Sequence, residues 1–171
     1  MKFEDILTKY WSQITLLLLA IGYFIKHIYS LRETRHSLFQ QNKINAISKF
    51  LTCYSEAENV WRDLPIYNII HEKLTVKEMD NLIFPSMNNL KNTQVELHLY
   101  LNNIEIKPFE VIVDSLFKLN KKVSDIYFNT TPENKNIDSL NEYYFLKEEV
   151  IKNNRNALQE IGKTIRKKFH S

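Results

Sequence analysis

Apolar side chains are distributed along this chain in two different ways, one continuous and one periodic. Residues 10–25, with the sequence YWSQITLLLLAIGYFI, form a run of about 16 residues without a formal charge. From Ile44 onward, apolar residues instead recur every three or four positions, which is the spacing of one face of an α-helix. The first pattern predicts a membrane-spanning helix, and the second predicts a series of amphipathic helices.

The uncharged run is short for a membrane span, but its flanks lengthen it. At about 1.5 Å per residue it covers roughly 24 Å, against a hydrocarbon core of roughly 30 Å. Lys9 and Lys26 flank the run, and each can bury its stem while its ammonium stays at the membrane surface. Aromatic rings at both ends favour the membrane–water boundary. The expected anchor residues are Tyr10, Trp11, Leu16, Leu17, Leu18, Leu19, Tyr23 and Phe24.

Two other interpretations of this run stay open. Secretory signal peptides and buried core helices of soluble proteins contain apolar runs of similar length. Ala20 and Gly22 have the small-x-small spacing of a cleavage site, but the leading segment carries Glu4 and Asp5 and is not cleanly positive. We therefore favour a retained transmembrane anchor over residues 1–30.

Basic residues near the two ends of the run predict its orientation. The N-terminal flank carries two lysines, which two acidic residues offset. The C-terminal flank carries Lys26, Arg32 and Arg35. Because flanks rich in Lys and Arg stay in the cytoplasm, we expect a single-pass membrane protein with its N-terminus outside and residues 31–171 in the cytoplasm.

The first periodic stretch predicts a helix that ends at Pro65, since proline lacks a backbone N–H and clashes with the preceding turn. Glu58 falls on the same stripe, next to Ala57, which could take its place there. The apolar stripe of this helix is Ile44, Ile47, Leu51, Tyr54, Trp61 and Leu64.

Caps and prolines predict the ends of the later helices. Thr75 and Glu78 form a capping-box pair, in which each side chain satisfies the backbone donor of the other. A helix from Val76 is expected to stop before Pro85, and Pro108 suits a first helical position. A second capping box is formed by Ser139 and Glu142. The helices expected after Pro65 cover residues 76–83, 87–103, 108–127 and 139–169.

Short connections between these helices favour antiparallel neighbours. The expected fold class is therefore all-α, with a single N-terminal transmembrane helix (residues 1–30) followed by a cytoplasmic antiparallel helical bundle (residues 31–171). Trp61, Leu116 and Leu158 are expected to be buried. The layout is similar to that of small, single-pass bacterial membrane proteins with helical cytosolic bodies, but no motif identifies a family.

Composition excludes several kinds of catalytic site. The chain has only two glycines, whereas P-loops, dinucleotide-binding turns and nucleophile elbows need several at fixed positions. The single cysteine, Cys53, cannot form an intrachain disulfide, which suits a reducing cytoplasm. Glu33 and His36 match one Glu-x-x-His motif, without the second copy that a di-metal bundle needs. We predict no catalytic residues, no metal site and no cofactor.

Polar groups on the apolar faces leave a choice between structural and surface roles. Asn154 lies on the stripe of the last helix. It is either a buried residue that fixes helix register, as single asparagines do in coiled coils, or a partly exposed one.

The charge distribution indicates a lipid surface rather than nucleic acid. Net charge is only +3, and basic residues alternate with acidic ones, so no nucleic-acid partner is expected. An even number of helical passes would return the basic end of the last helix to the bilayer. That end then either binds anionic lipid together with the first basic flank or only compensates the helix dipole. The residues concerned are Arg32, Arg35, Lys163, Arg166, Lys167 and Lys168.

An anchor joined to amphipathic helices, without a catalytic motif, predicts a non-enzymatic interaction module. We expect a regulator or effector that acts through a protein partner or through self-association. One alternative is a membrane-perturbing or pore-forming effector, suggested by Gln13 and by the small residues of the run. Another is an enzyme whose active-site residues are dispersed along the chain.

Overall fold

The computed structural model describes the backbone of residues 3–71, 74–129 and 137–169, and the side chains of residues 10–69, 71, 74–128 and 139–167. Within these residues the protein is helical and contains no strand, so the all-α prediction is confirmed. The helices are α1 (Phe3–Asp63), α2 (Ile66–Ile70), α3 (Val76–Leu97), α4 (Asn103–Asn129) and α5 (Ile137–Phe169).

The chain divides into two compact units. The N-terminal unit is Met1–Asn42 and the C-terminal unit is Lys43–Ser171. Helix α1 contributes residues to both units, and α2 to α5 belong to the C-terminal unit. None of the side chains described in the N-terminal unit is buried. All of the described buried apolar side chains therefore lie in the C-terminal unit.

One hydrophobic core occupies the C-terminal unit. It receives side chains from α2 to α5 and from the last five turns of α1. The Phe50 and Phe109 rings meet edge to face with centroids 5.0 Å apart, an arrangement that aromatic pairs favour. The Trp61 indole N–H, fully buried, faces the Met87 sulfur at 3.3 Å. The largest fully buried side chains include Phe50, Trp61, Leu90, Leu116 and Tyr143.

Pro85 does not end a helix, as the sequence predicted. Helix α3 continues through it from Val76 to Leu97, and the break expected between residues 83 and 87 is wrong. A proline inside a helix costs about 3 kcal/mol, while each large apolar side chain that is fully buried contributes about 1.5–3 kcal/mol. The buried residues continue across the proline at spacings of three and four: Met79, Ile83, Met87, Leu90, Thr93 and Leu97.

The boundary between α3 and α4 also differs from the prediction. The helix expected over 87–103 ends at Leu97, and α4 begins before Pro108, which lies inside it. The start of α4 is set by Asn102, whose Oδ1 accepts the backbone N–H groups of Ile104 and Glu105, each at 3.0 Å. The Glu105 carboxylate accepts the Asn102 N–H in return at 3.3 Å. This reciprocal cap was missed, although it has the spacing of a capping box.

The caps and faces predicted elsewhere are confirmed in part. Thr75 and Glu78 form the predicted capping box at the start of α3, and α1 ends before Pro65. Helix α5 already includes Ile137, so it does not begin at the box predicted for Ser139.

On α1 the buried face is rotated from the predicted one. Ile44 and Leu51 are exposed, whereas Ala46 and Phe50 are buried, because the Phe50 ring fills the space against α4. The other members of the predicted stripe, from Ile47 to Leu64, are buried. Trp61 and Leu116 are buried as predicted, but Leu158 is only half-buried against the core.

Candidate functional site

The predicted anchor residues form an exposed apolar surface on α1. All eight lie in the N-terminal unit, and their exposed fractions range from 37% for Tyr10 to 71% for Leu16 and Tyr23. Eight exposed large apolar side chains on one helical stretch are unusual for a soluble surface, where such residues occur singly.

Among the described residues, α1 is the one helix long and apolar enough to cross a membrane. In the 18-residue apolar window of α1 that meets this criterion of length and hydropathy, no residue is buried inside the protein. Core helices of soluble proteins and N-terminal signal sequences meet the same criterion of length and composition, and the window on α1 differs from a typical core helix in being exposed.

One polar side chain inside the apolar run forms its hydrogen bond within the helix. The Thr15 hydroxyl donates to the Trp11 carbonyl at 2.8 Å, so it needs no partner outside the helix. No atom outside the adjoining backbone lies within 4 Å of the position that a Cβ of Gly22 would occupy. This side of the helix is therefore open to close approach by another helix.

The predicted anionic-lipid residues belong to different units. Arg32 and Arg35 are exposed on α1 in the N-terminal unit, and Lys163, Arg166 and Lys167 are exposed on α5 in the C-terminal unit. The Lys168 side chain lies outside the described residues. Lys163 contacts Glu160 at 2.7 Å, and the Arg166 Nε–H donates to the Gly162 carbonyl at 3.3 Å.

A polar cluster that the sequence analysis did not identify connects α1 with α5. The Glu58 side chain is only 9% exposed and accepts hydrogen bonds from the guanidinium of Arg155, at 2.6 Å, and from that of Arg62. Both arginine side chains are about half exposed, so water solvates the ends that Glu58 does not contact. One carboxylate thus forms ion pairs with two arginines, one from its own helix and one from α5.

The cluster controls the ionisation of two groups. Burial opposes ionisation of the Glu58 carboxyl, but the Arg155 guanidinium and the nearby Tyr54 hydroxyl, with the charges of both arginines, lower its pKa below the ordinary value. Burial is the main cause that raises the pKa of the Tyr54 hydroxyl, and the Glu58 carboxylate adds to it. Glu58 is therefore a carboxylate and Tyr54 a neutral phenol across the physiological pH range. Neither is tuned for proton transfer near neutral pH.

Asn154 extends the cluster toward α4. It is 2% exposed, so of the two roles considered from the sequence it has the buried one. Its Oδ1 accepts a hydrogen bond from the Ser115 hydroxyl at 2.9 Å. The Asn154 amide nitrogen and the Tyr54 hydroxyl are buried without a hydrogen-bond partner of good geometry. The two groups are nonetheless close enough for Asn154 to influence the tyrosine pKa.

Sequence signals for this cluster were present but incomplete. Glu58 was noted on an apolar stripe and Asn154 on another, and a polar residue on a buried face requires a partner. The partner Arg155 is 97 positions from Glu58 in the chain, a separation that no helical spacing rule covers. Among the described side chains, no three His, Cys, Asp or Glu residues come together as metal ligands.

Comparisons with protein-family models, with curated proteins and with solved structures find no match to this chain.

Proposed function

We propose that this protein is a single-pass membrane protein whose cytoplasmic helical body serves as an interaction module. The N-terminus faces outward, the apolar part of α1 is the anchor, and the C-terminal unit engages a protein partner or a second copy of the chain. The anchor stays attached to the body rather than being removed as a signal peptide.

The observation that carries the proposal is the contrast in burial along α1. The eight predicted anchor side chains between Tyr10 and Phe24 are exposed, while most apolar side chains of α1 from Ala46 onward are buried in a core. Exposing so many large apolar side chains to water is unfavourable by about 25 cal/mol for each Å². A lipid bilayer removes this cost without any further protein contact.

Contacts between helices support an antiparallel bundle for the body. Two contacts join α1 and α5. Arg155 of α5 contacts Glu58 of α1, and Lys147, which comes earlier in α5, donates to the carbonyl of Arg62, which comes later in α1, at 3.5 Å. Residue numbers therefore rise along α1 as they fall along α5. The two helices therefore run antiparallel, as neighbouring helices do in many bundles.

The topology is tested by cysteine labelling of the full-length protein in intact cells. Cys53→Ser removes the native thiol, and single cysteines are then placed by Lys2→Cys and Phe145→Cys, the second at a side chain that is 74% exposed. An impermeant thiol reagent should label position 2 and label position 145 only after lysis. Labelling of 145 alone in intact cells would invert the orientation, and loss of the segment carrying position 2 would identify a cleaved signal peptide.

The interaction role is tested by self-capture in membranes. Two differently tagged copies of the full-length chain are co-expressed, and a photo-crosslinker is placed at Val95, which is 58% exposed. A crosslink between the two tags assigns self-association, and a crosslink to another membrane or cytosolic protein assigns a partner. If crosslinkers at exposed positions on every helix of the body capture neither, the interaction role is wrong. Leakage of vesicles that contain the purified protein would instead indicate a pore-forming effector.

A further inference from the structure

We propose that one end of the C-terminal unit is a docking surface for an anionic lipid bilayer. The inference rests on the proposed membrane anchoring and names what the body touches once anchored. We call this surface the basic end and define it by Leu99, Ile104, Lys107, Lys163, Arg166 and Lys167.

Contacts between α4 and α5 bring these residues to one end. The Ser115 hydroxyl contacts Asn154, and Lys122 forms an ion pair with Glu142. Since residue numbers rise along α4 as they fall along α5, the start of α4 and the last turns of α5 lie at the same end of the pair. At about 1.5 Å per residue, Ile104 lies roughly 16 Å from the level of Ser115, and Arg166 lies roughly 18 Å from the level of Asn154 in the same direction.

Cations exceed anions at this end. Lys107, Lys163, Arg166 and Lys167 are all exposed. Of the acidic groups nearby, Glu160 contacts Lys163 and Glu105 contacts Lys43 at 3.1 Å, while Glu96 pairs with Lys49 and Glu110 lies 3.5 Å from the His98 imidazole. The remaining cations face solvent and complement anionic headgroups.

Two aliphatic side chains project from the same end. Ile104 is 85% exposed at the start of α4, and Leu99 is 73% exposed in the connection that precedes it. Large aliphatic residues flanked by lysine and arginine are typical of surfaces that insert shallowly between lipid headgroups. Nucleic acid offers no comparable apolar layer, so a bilayer fits this combination better than a polyanion does.

The chain passes from the N-terminal unit into the C-terminal unit at the basic end. Lys43 is the first residue of the C-terminal unit, and its contact with Glu105 shows that the chain enters the unit at the basic end. About 18 residues separate Lys43 from the end of the uncharged run, a length that is roughly 27 Å as a helix.

The test uses full-length protein carrying Cys53→Ser and reconstituted in vesicles. An environment-sensitive fluorophore is attached at Ile104→Cys, and a control fluorophore is attached in a second variant at Phe145→Cys. Position 145 has a similar exposed fraction, 74%, but lies toward the other end of α5. Vesicles contain either phosphatidylcholine alone or phosphatidylcholine with phosphatidylserine.

We expect the emission at position 104 to shift to the blue only in the vesicles that contain phosphatidylserine. At position 145 we expect no shift in either kind of vesicle. Added salt should reduce the shift, since exposed charges are screened. Charge reversal by Lys163→Glu, Arg166→Glu and Lys167→Glu should abolish it. A matched variant that reverses Lys77, Lys118 and Lys121 changes the net charge equally, away from the basic end, and should keep the shift.

Several results would contradict the docking surface. No shift at 104, an equal shift in neutral vesicles, or a shift that survives reversal at the basic end would leave the cations as helix-dipole partners only. A shift produced by soluble heparin but not by anionic vesicles would assign the surface to another polyanion and overturn the proposal. Alkaline extraction of the same vesicles tests the anchor separately. Release of the protein would contradict the proposed transmembrane anchor and would leave the docking surface to be decided by the emission shift.

Discussion

The two units of this chain use apolar side chains in opposite ways. In the N-terminal unit Leu16 to Leu19 are all more than 60% exposed, while in the C-terminal unit Leu90, Leu116 and Leu119 are fully buried. The same residue type is thus left outward in one unit and packed inward in the other. The difference teaches that apolar content alone does not mark a core.

The two units should therefore respond to different measurements. Substitutions in the N-terminal unit should change how the protein is held by a membrane. Substitutions in the C-terminal unit should change the denaturation midpoint of its core, measured for the full-length protein in detergent. Four predictions test this separation, in order of decreasing expected effect.

The largest effect is expected from charges placed within the exposed apolar run. Arginine at the centre of a spanning helix costs about 2.5–3.5 kcal/mol, so Leu17→Arg with Leu18→Arg should cost roughly 5–7 kcal/mol of membrane insertion. Alkaline extraction of membranes should move this variant from the pellet to the supernatant. Tyr67→Arg with Phe145→Arg, at exposed positions of the C-terminal unit, should leave the protein in the pellet. Retention of the first variant would show that the run is not the anchor.

The second prediction compares one substitution in both units. Leu116→Ala removes a fully buried side chain and should destabilise the C-terminal unit by about 2–5 kcal/mol. Leu18→Ala removes a side chain that is 62% exposed and should leave the denaturation midpoint unchanged. Val111→Ala, on the exposed side of α4, serves as a control in the same helix as Leu116. Equal shifts from Leu18 and Leu116 would mean that the apolar run packs against the core.

The elements most accurately predicted from sequence are those that depend on a few neighbouring residues. The cap formed by Thr75 and Glu78 and the helix end before Pro65 need only local geometry. Pro85 was misjudged because its local cost is offset by burial on both sides of it, which a local rule does not contain. The cap at Asn102 was not predicted, although its spacing to Glu105 is that of a capping box.

Errors in the buried face have a different origin. Residues 100° apart on a helix compete for the core, and the choice of Phe50 over Leu51 depends on the ring of Phe109, which lies in another helix. The Glu58 cluster depends in the same way on Arg155 from α5. Contacts of this kind become predictable only when the packing of helices is known. The apolar helix near the N-terminus needed no such information, because its apolar residues are continuous in the sequence.

The third prediction concerns the buried carboxylate of the C-terminal unit. Glu58→Gln removes the charge that holds two arginines, and we expect a loss of about 1–3 kcal/mol at neutral pH. Because the pKa of Glu58 is lowered on folding, its charge contributes stability above the ordinary glutamate pKa of about 4.3. That contribution is lost as pH falls through the lower folded-state pKa.

Denaturation midpoints of the wild type and Glu58→Gln should therefore differ most at neutral pH and converge in acid. The exposed Glu33 of the N-terminal unit provides the comparison, and Glu33→Gln should leave the midpoint unchanged at every pH. A difference between wild type and Glu58→Gln that stays constant down to strong acid would show that the ionised carboxylate is not what stabilises the cluster.

The smallest effect is expected where the same substitution is made at a helix cap and on the exposed surface of the N-terminal unit. Thr75→Ala removes the hydroxyl that accepts the Glu78 N–H at 3.3 Å, and it should destabilise the C-terminal unit by about 1 kcal/mol. Thr34→Ala removes a hydroxyl that donates to the Ser30 carbonyl at 2.9 Å on exposed α1, where alanine has the higher helix propensity. The midpoint should therefore fall for the first variant and stay constant for the second. Thr75→Ser, which keeps a hydroxyl at the cap, should recover most of the loss. If Thr34→Ala lowers the midpoint as much as Thr75→Ala does, the two units unfold as one, and the separation between an exposed anchor and an independently packed body is wrong.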